Sequence, residues 1–288
     1  MSMVISVITF NGDEKATVET LFEQILEGAR SPWKRGDKKD QDHEEIVRPS
    51  GRQTWTLRHR PLLAQGNVVA GAALADLFSS PGESPDYVVF FGCAGALDPA
   101  HMGSVFLVDS VNYLSLGAVD RSCLIGEKVT LNNKWLCDTG QSAGVNPLPG
   151  TAFPLRTAHG SVDLRDVEGL GPAHVAATDK VVRVAPGKAP EPTSGSTYEQ
   201  GPWSYAQALG HVAESVEGTV LVETESYGIS TVAHSLGILD RVIVMRVTTD
   251  SLADKNSTDG SRRDLMKQRL APLSHLINTL FRLAGAAP

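Results

Sequence analysis

The sequence predicts an α/β fold: a twisted, mostly parallel central sheet flanked by helices, built by residues 1–288 as one domain. Three observations predict it. Short continuous apolar runs such as "MVISVITF", "YVVFFGC" and "RVIVMRV" read as strands buried on both faces. Stretches with apolar residues at helical spacing alternate with them, the order that yields a parallel sheet. With 288 residues, 41% hydrophobic and 20% charged, the chain can bury a large core at ordinary globular composition.

The first strand, "MVISVITF", is bounded by Asn11 and Gly12, and Val18, Leu21, Phe22, Ile25 and Leu26 then recur at helical spacing. Gly28 and Pro32 are stop signals, so the opening is a βα unit. The almost wholly charged "KRGDKKDQDHEE", from Lys34 to Glu45, predicts a solvated loop ahead of the strand "TWTLRHR". A helix begins near Asn67 in "NVVAGAALADLF", followed by the strands "YVVFFGC" and "GSVFLVDSVNYL". Residues 120–170, rich in Gly, Pro, Asn and Asp with poor periodicity, predict loops and short elements, and "VAPGKAPEPTSGSTYEQGP" predicts another long loop. After Gly218 come the strand "TVLVE", a helix with Ile229, Val232, Ala233 and Leu236 on one face, Gly237 as its C-cap, and the strand "RVIVMRV". The closing helix turns Leu265, Leu273, Leu276, Ile277, Leu280 and Phe281 inward, with Pro272 marking a kink or a restart.

A formal net charge of −7 argues against a broad nucleic-acid or acidic-membrane footprint. Cys93, Cys123 and Cys137 are odd in number and match no CxxC spacing, which suits small core residues better than a metal or redox site. "MSMVISVITFNG" lacks the marks of a signal peptide, and no apolar run approaches the ~20 residues of a membrane span. The expectation is a cytoplasmic protein.

Two apolar strands finish in acids, Glu223 and Glu225 after the first and Asp250 after the second. Largely parallel sheets place ligand sites at the carboxyl ends of their strands, so neighbouring strands here would bring Glu225 and Asp250 to one cleft fit for acid/base chemistry. Structural readings stand beside this one: a first-turn acid favoured by the helix dipole for Glu225, and an N-cap beside Thr248 and Thr249 for Asp250.

"VETESYGISTVA", followed by a strand ending "MRVTTDSLAD", resembles the signature of the purine nucleoside phosphorylase and nucleosidase superfamily. "VVFFGCAGAL" is similar to that family's glycine loop in the branch acting on methylthioadenosine and S-adenosylhomocysteine, and "HMGSVFLVDS" to the strand after it. "ISVITFNGDEKATV" matches a strand followed by an acidic residue just before the first helix.

The resemblance implies cleavage of a purine N-glycosidic bond, a reaction that must neutralise a departing base and place a nucleophile under an oxocarbenium-like sugar. It implies that Asp250 is the general acid toward purine N7, with Thr249, in place of the usual serine, and Arg246 supporting it. Glu225 would bind the ribose hydroxyls, with Glu223 and Thr224 beside it, Thr224 standing where members carry methionine. Gly92, Cys93, Ala94 and Gly95 would line the pocket, and Val181 falls where many members place a base-stacking phenylalanine, with Val182 beside it as a further substrate-binding candidate. Glu14 would position water, with Asp13 the choice if the match shifts by one residue.

Phosphorolysis needs cations around inorganic phosphate, and where hexameric phosphorylases carry an arginine before the glycine loop this chain has Phe90 and Phe91, which favours water as nucleophile. Arg48, Arg52, Arg58 and Arg60 would either receive a substrate phosphate or form a solvated strand face. The resemblance further implies no metal or organic cofactor, a small-molecule purine nucleoside or nucleotide as partner, and a homo-oligomer, a dimer being favoured. Three alternatives accompany the hydrolase: a phosphorylase, a nucleotide-degrading effector acting on substrates such as ATP, and a binding module without turnover. A dinucleotide-binding reading fails, because "GCAGAL" supplies neither the GxGxxG spacing nor a place after the first strand.

Overall fold

The computed structural model describes residues 2–28, 31–36, 43–50, 53–79, 84–113, 124–125, 128–129, 146–147, 155–157, 160–162, 164, 167–177, 218–251 and 259–283. In chain order the elements that frame the sheet are β1 (Ser2–Thr9), α1 (Gly12–Glu27), β2 (Lys34–Arg35), β3 (Glu44–Ser50), β4 (Gln53–Pro61), α2 (Asn67–Ser79), β5 (Tyr87–Ala96) and β6 (Val105–Tyr113). Short pairs β7 (Leu124–Ile125) with β8 (Lys128–Val129), and β10 (Leu155–Thr157) with β11 (Gly160–Val162), stand apart, while β9 (Asn146–Pro147) joins β6. The chain continues with β12 (Gly171–Ala177), β13 (Thr219–Glu223), α3 (Ser226–Leu236), β14 (Val242–Ser251), α4 (Asp259–Gln268) and α5 (Leu270–Leu283).

Ten strands share one mixed sheet in the order β13-β12-β6-β14-β5-β1-β4-β3-β2, with β9 on β6. The pairs β1/β4, β1/β5, β5/β14, β6/β12 and β12/β13 are parallel. The pairs β6/β14, β3/β4, β2/β3 and β6/β9 are antiparallel. Strand β13 also returns to β5, pairing Leu221 with Ala96 and Val222 with Gly95, which closes β13-β12-β6-β14-β5 into a ring. The mostly parallel sheet expected from the alternating pattern is therefore present, modified by this closure.

Two apolar cores lie on opposite faces of the sheet. Adjacent residues of a pleated strand point oppositely, so Phe91 joins the core under α1, α4 and α5 while Phe90 joins the core under α2 and α3. The first core packs Leu21 and Phe22 of α1 and Leu273, Leu276 and Leu280 of α5 against Val7, Leu57 and Met245. The second packs Leu74 of α2 and Ile229 of α3 against Ile8, Val244 and Leu221. Complete burial of each such side chain stabilises the fold by about 1.5–3 kcal/mol.

Helices α2 and α3 meet backbone to backbone at Gly228, where a Cβ would fall 1.9 Å from the carbonyl oxygen of Asn67. Only glycine permits that approach, and the Gly228 amide donates to Asn67 Oδ1 at 2.9 Å across it.

Some elements differ from their sequence-based expectation. The charged stretch from Lys34 to Glu45 begins in β2 and runs into β3, whose Ile46 is buried against β4. The glycine-containing run Gly92–Ala96 is strand rather than loop, because β14 on one side and β13 on the other both pair with it. The closing apolar segment is two helices that part at Arg269, and Pro272 sits at the third residue of α5, where its missing N–H costs nothing. Gly237, at φ +67°, ends α3 in the left-handed conformation expected of a C-cap.

Candidate active site

The first component of the site is a capping box. Asn11 precedes α1 and its Oδ1 accepts from the amides of Asp13 and Glu14, while the Glu14 carboxylate reaches back to the amides of Phe10 at 2.7 Å and Asn11 at 3.3 Å. Its other oxygen accepts from the Cys93 amide of β5 at 2.9 Å, so Glu14 joins the end of β1 to the end of β5. The fit is close: a Cβ on Gly92 would lie 2.9 Å from Glu14 Oε1 and 3.3 Å from Arg246 Nη1. Burial raises the Glu14 carboxyl above its ordinary range, against the lowering effect of the Phe10 and Cys93 amides and of Arg246.

The second component is an acidic pair with one guanidinium. Arg246 of β14, completely buried, donates to Glu223 Oε2 from Nη2 at 2.7 Å and from Nε at 3.2 Å, and its Nη1 donates to the Phe90 carbonyl at 3.2 Å. The same Glu223 carboxylate accepts the amides of Glu225 at 3.1 Å and Ser226 at 2.9 Å, capping α3 from the last residue of β13. Burial pushes the Glu223 carboxyl up, but Arg246 and these amides hold it below the ordinary carboxylate range.

Glu225 is treated oppositely. It occupies the N-cap position of α3 without capping it, lies 3.8 Å from Arg246 Nη2, and accepts from the Gly66 amide at 3.3 Å and from the Thr224 hydroxyl. Burial, with the Glu223 charge beside it, raises its carboxyl to about 8 despite Arg246.

The third component comes from a bulge in β14. Thr248 pairs with Ala94 and Asp250 with Gly95, leaving the buried Thr249 as the extra residue, a device that re-aims the side chain after it. Asp250 is thus a half-buried strand residue at the carboxyl end of β14, not a helix N-cap. Gly95 pairs on its other side with Val222, so the ends of β13 and β14, carrying Glu225 and Asp250, flank one residue of β5.

Cys93 lies within this group, its Sγ 3.7 Å from Asn11 Nδ2. Burial and the neighbouring Glu14 hold its thiol well above the ordinary range. Such a thiol stays protonated and is a poor nucleophile.

Of the residues singled out from sequence, Glu14, Gly92, Cys93, Ala94, Gly95, Glu223, Thr224, Glu225, Arg246, Thr249 and Asp250 gather at these strand ends. Within the group Glu223 and Arg246 hold each other and the backbone. Val181, Val182 and Arg52 lie outside the described residues. Arg48, Arg58 and Arg60 sit on the outer hairpin of β3 and β4, Arg48 over the Trp55 ring at 4.9 Å, Arg58 with Glu45 at 3.3 Å and Arg60 with Asp76 at 2.8 Å. Asp13 accepts from Arg263 Nε of α4 at 3.1 Å.

Asn11 and Gly66 are site residues that the sequence reading did not name. Asn11 had a signal, since Asn followed three residues later by Glu is a capping-box pattern. Gly66 had none, because it meets Glu225 across 159 residues through the packing of α2 on α3. Among the described residues, no three His, Cys, Asp or Glu side chains are placed to hold a metal ion, and no helix is long and apolar enough to cross a membrane.

No protein-family model and no curated protein sequence matches the chain. Solved structures do match. Arabidopsis thaliana 5′-methylthioadenosine nucleosidase superposes with a TM-score of 0.56 at 15% identity over 99% of this chain and 97% of that one. Helicobacter pylori futalosine hydrolase gives 0.55 at 12% identity over 96% and 98%. Campylobacter jejuni 5′-methylthioadenosine/S-adenosyl homocysteine nucleosidase gives 0.53 at 11% identity over 98% of each chain. This chain therefore has the fold of the nucleoside phosphorylase and nucleosidase superfamily, with helices flanking a mixed, mostly parallel sheet.

Proposed function

We propose that the chain is a purine nucleosidase, hydrolysing the N-glycosidic bond of a purine nucleoside or nucleotide, with adenine the favoured base. The observation that carries this reading is the convergence of Glu14, Glu225 and Asp250 from three strand ends around Gly92–Gly95 of β5.

In this reading the bond from the sugar C1′ to purine N9 breaks and its electrons move into the base. Asp250 gives a proton to N7, so the base leaves neutral. Glu225 holds the ribose hydroxyls, and its bonds to them tighten as positive charge develops on the sugar. Glu14, kept in place by three backbone amides, accepts a proton from water as the water oxygen bonds to C1′.

The local charge favours water over phosphate. Three carboxyl groups, Glu14, Glu223 and Glu225, act on the Arg246 guanidinium, which Glu223 already engages. That guanidinium is therefore not offered to an incoming phosphate, which needs cationic donors, whereas water needs none. The apolar Phe90 and Phe91, each buried in a core, add no cation.

The test is chromatography of purified protein incubated with adenosine, methylthioadenosine, AMP and ATP, with and without phosphate. Free adenine should appear without phosphate. Strict phosphate dependence, or no base release from any substrate, overturns the reading. Asp250→Asn should lower kcat by about 10²–10⁴, with the circular dichroism spectrum retained.

A further inference from the structure

Glu225 stands where a side chain ordinarily caps its own helix, yet its carboxyl does not do so. Its backbone, at φ −120° and ψ −35°, is helical rather than the extended conformation usual for an N-cap. The amide of Gly228, third residue of α3 and one of those an N-cap side chain serves, is already taken. Asn67, at the start of α2, accepts it through Oδ1 at 2.9 Å. The amides of Glu225 and Ser226 go to Glu223. The Glu225 carboxyl instead accepts from the Gly66 amide at 3.3 Å and from the Thr224 hydroxyl.

We infer that Asn67 is a positioning residue for Glu225: by occupying the Gly228 amide and holding Gly66 against the carboxyl, it keeps Glu225 off its own helix and available to the ribose hydroxyls. This deepens the nucleosidase reading and rests on it.

Three features support the assignment. Asn67 is buried, and its carbonyl oxygen lies so near Gly228 that a Cβ there would fall 1.9 Å from it, so the start of α2 has little freedom against α3. Gly66 directly precedes Asn67 and its carbonyl accepts the Ala70 amide at 3.0 Å, so the position of the Gly66 amide follows that of the first turn of α2. The nearest guanidinium nitrogen, Arg246 Nη2, stands 3.8 Å from Glu225, beyond hydrogen-bond distance, so Arg246 does not fix the carboxyl by itself. Without the Asn67 oxygen the Gly228 amide would be a buried donor in need of an acceptor. Glu225 occupies the position from which a side chain reaches that amide, and a carboxyl drawn there is lost to the sugar.

The experiment is calorimetric titration of adenosine and of 2′,3′-dideoxyadenosine into the full-length protein, in an Asp250→Asn background that slows base release during the titration. Adenosine should bind about tenfold or more tightly than the dideoxy compound, the difference being its two hydroxyls. That preference should fall to about twofold or less in Asn67→Leu and Asn67→Ala, while Asn67→Asp, which keeps an oxygen for the Gly228 amide, should retain more of it. Glu225→Ala should abolish the preference, and adding Asn67→Leu to it should change nothing further, because Asn67 acts through Glu225. Leu74→Ala, which opens a cavity in the core between α2 and α3, should lower stability and leave the preference intact. No preference for the hydroxyls, a preference that Asn67→Leu and Asn67→Ala leave unchanged, or an equal loss in Leu74→Ala overturns the assignment. Chromatographic assay of base release by the protein with Asp250 in place distinguishes this from the parent reading. An Asn67-dependent preference without base release keeps the positioning role and sinks the glycosidase, whereas base release with an unmoved preference sinks the positioning role alone.

Discussion

Arginine–carboxylate pairs in two regions of this molecule sit in opposite surroundings. At the carboxyl ends of β13 and β14, Arg246 and Glu223 meet at 2.7 Å with 0% and 2% of their side chains exposed. On the outer hairpin, Arg58 and Glu45 meet at 3.3 Å with 18% and 22% exposed, and Arg60 and Asp76 at 2.8 Å with 28% and 63% exposed. The chemistry is the same and the surroundings are not. Water screens the outer pairs and competes for their hydrogen bonds, so each contributes little. The inner pair is dry, and each partner depends on the other together with the backbone groups that complete its bonding. Burial thus turns a common surface contact into a positioning device, here one that fixes the backbone on which Glu225 stands.

Breaking the inner pair should have the largest effect. Arg246→Ala leaves Glu223 buried without its cation and should cost about 3–5 kcal/mol in chemical denaturation. A loss below about 1 kcal/mol would show that the buried pair is no different from the outer ones.

The next test concerns the two glutamates beside it. The Glu225 carboxyl, raised to about 8, binds its proton more tightly folded than unfolded. Its stabilising contribution is therefore complete below about pH 4.5 and is lost as pH rises through 8. Glu225→Gln cannot lose that proton, so its stability relative to the unmodified protein should improve from pH 5 to pH 9 by on the order of 4 kcal/mol. Thermal melts at both values check it, and a difference independent of pH would mean that Glu225 titrates as an ordinary carboxyl. Glu223, lowered by Arg246 against its burial, has the opposite sign: its contribution is present above the ordinary carboxylate range and fades only in acid.

The smallest effect belongs to the hairpin. Arg58→Ala should change stability by no more than about 1 kcal/mol. A larger loss would mean that the outer pair organises the edge of the sheet.

Much of this molecule was legible in its sequence because the relevant signals are local. Runs such as "YVVFFGC" and "RVIVMRV" are apolar throughout since both sheet faces are covered, and that placed β5 and β14 in the interior. Acids at strand ends pointed to Glu225 and Asp250 as candidates. The split of the last helix at Arg269 was only half legible, because Pro272 signals either a kink or a new start and the choice depends on what each half packs against.

Other features left no trace in the linear pattern. Glu223 and Glu225 are the same residue type two positions apart, yet one is held ionised by Arg246 and the other holds its proton to about 8. The return of β13 to β5, the Asn11 side chain on Cys93 across 82 residues, the Gly66 amide on Glu225 across 159 and the Arg263 contact with Asp13 across 250 each join segments far apart in the chain.

The sequence by itself determined the alternation of strands and helices, the two-sided burial of the sheet and the candidate acids, since side-chain period and strand-end chemistry act over a few residues. Only the tertiary structure decided which carboxyl is held ionised, which is raised above its ordinary range, and which acid each arginine engages. Protonation and electrostatic pairing depend on desolvation and on charges brought within a few ångströms by folding, and neither distance nor solvent access is written in the order of the residues.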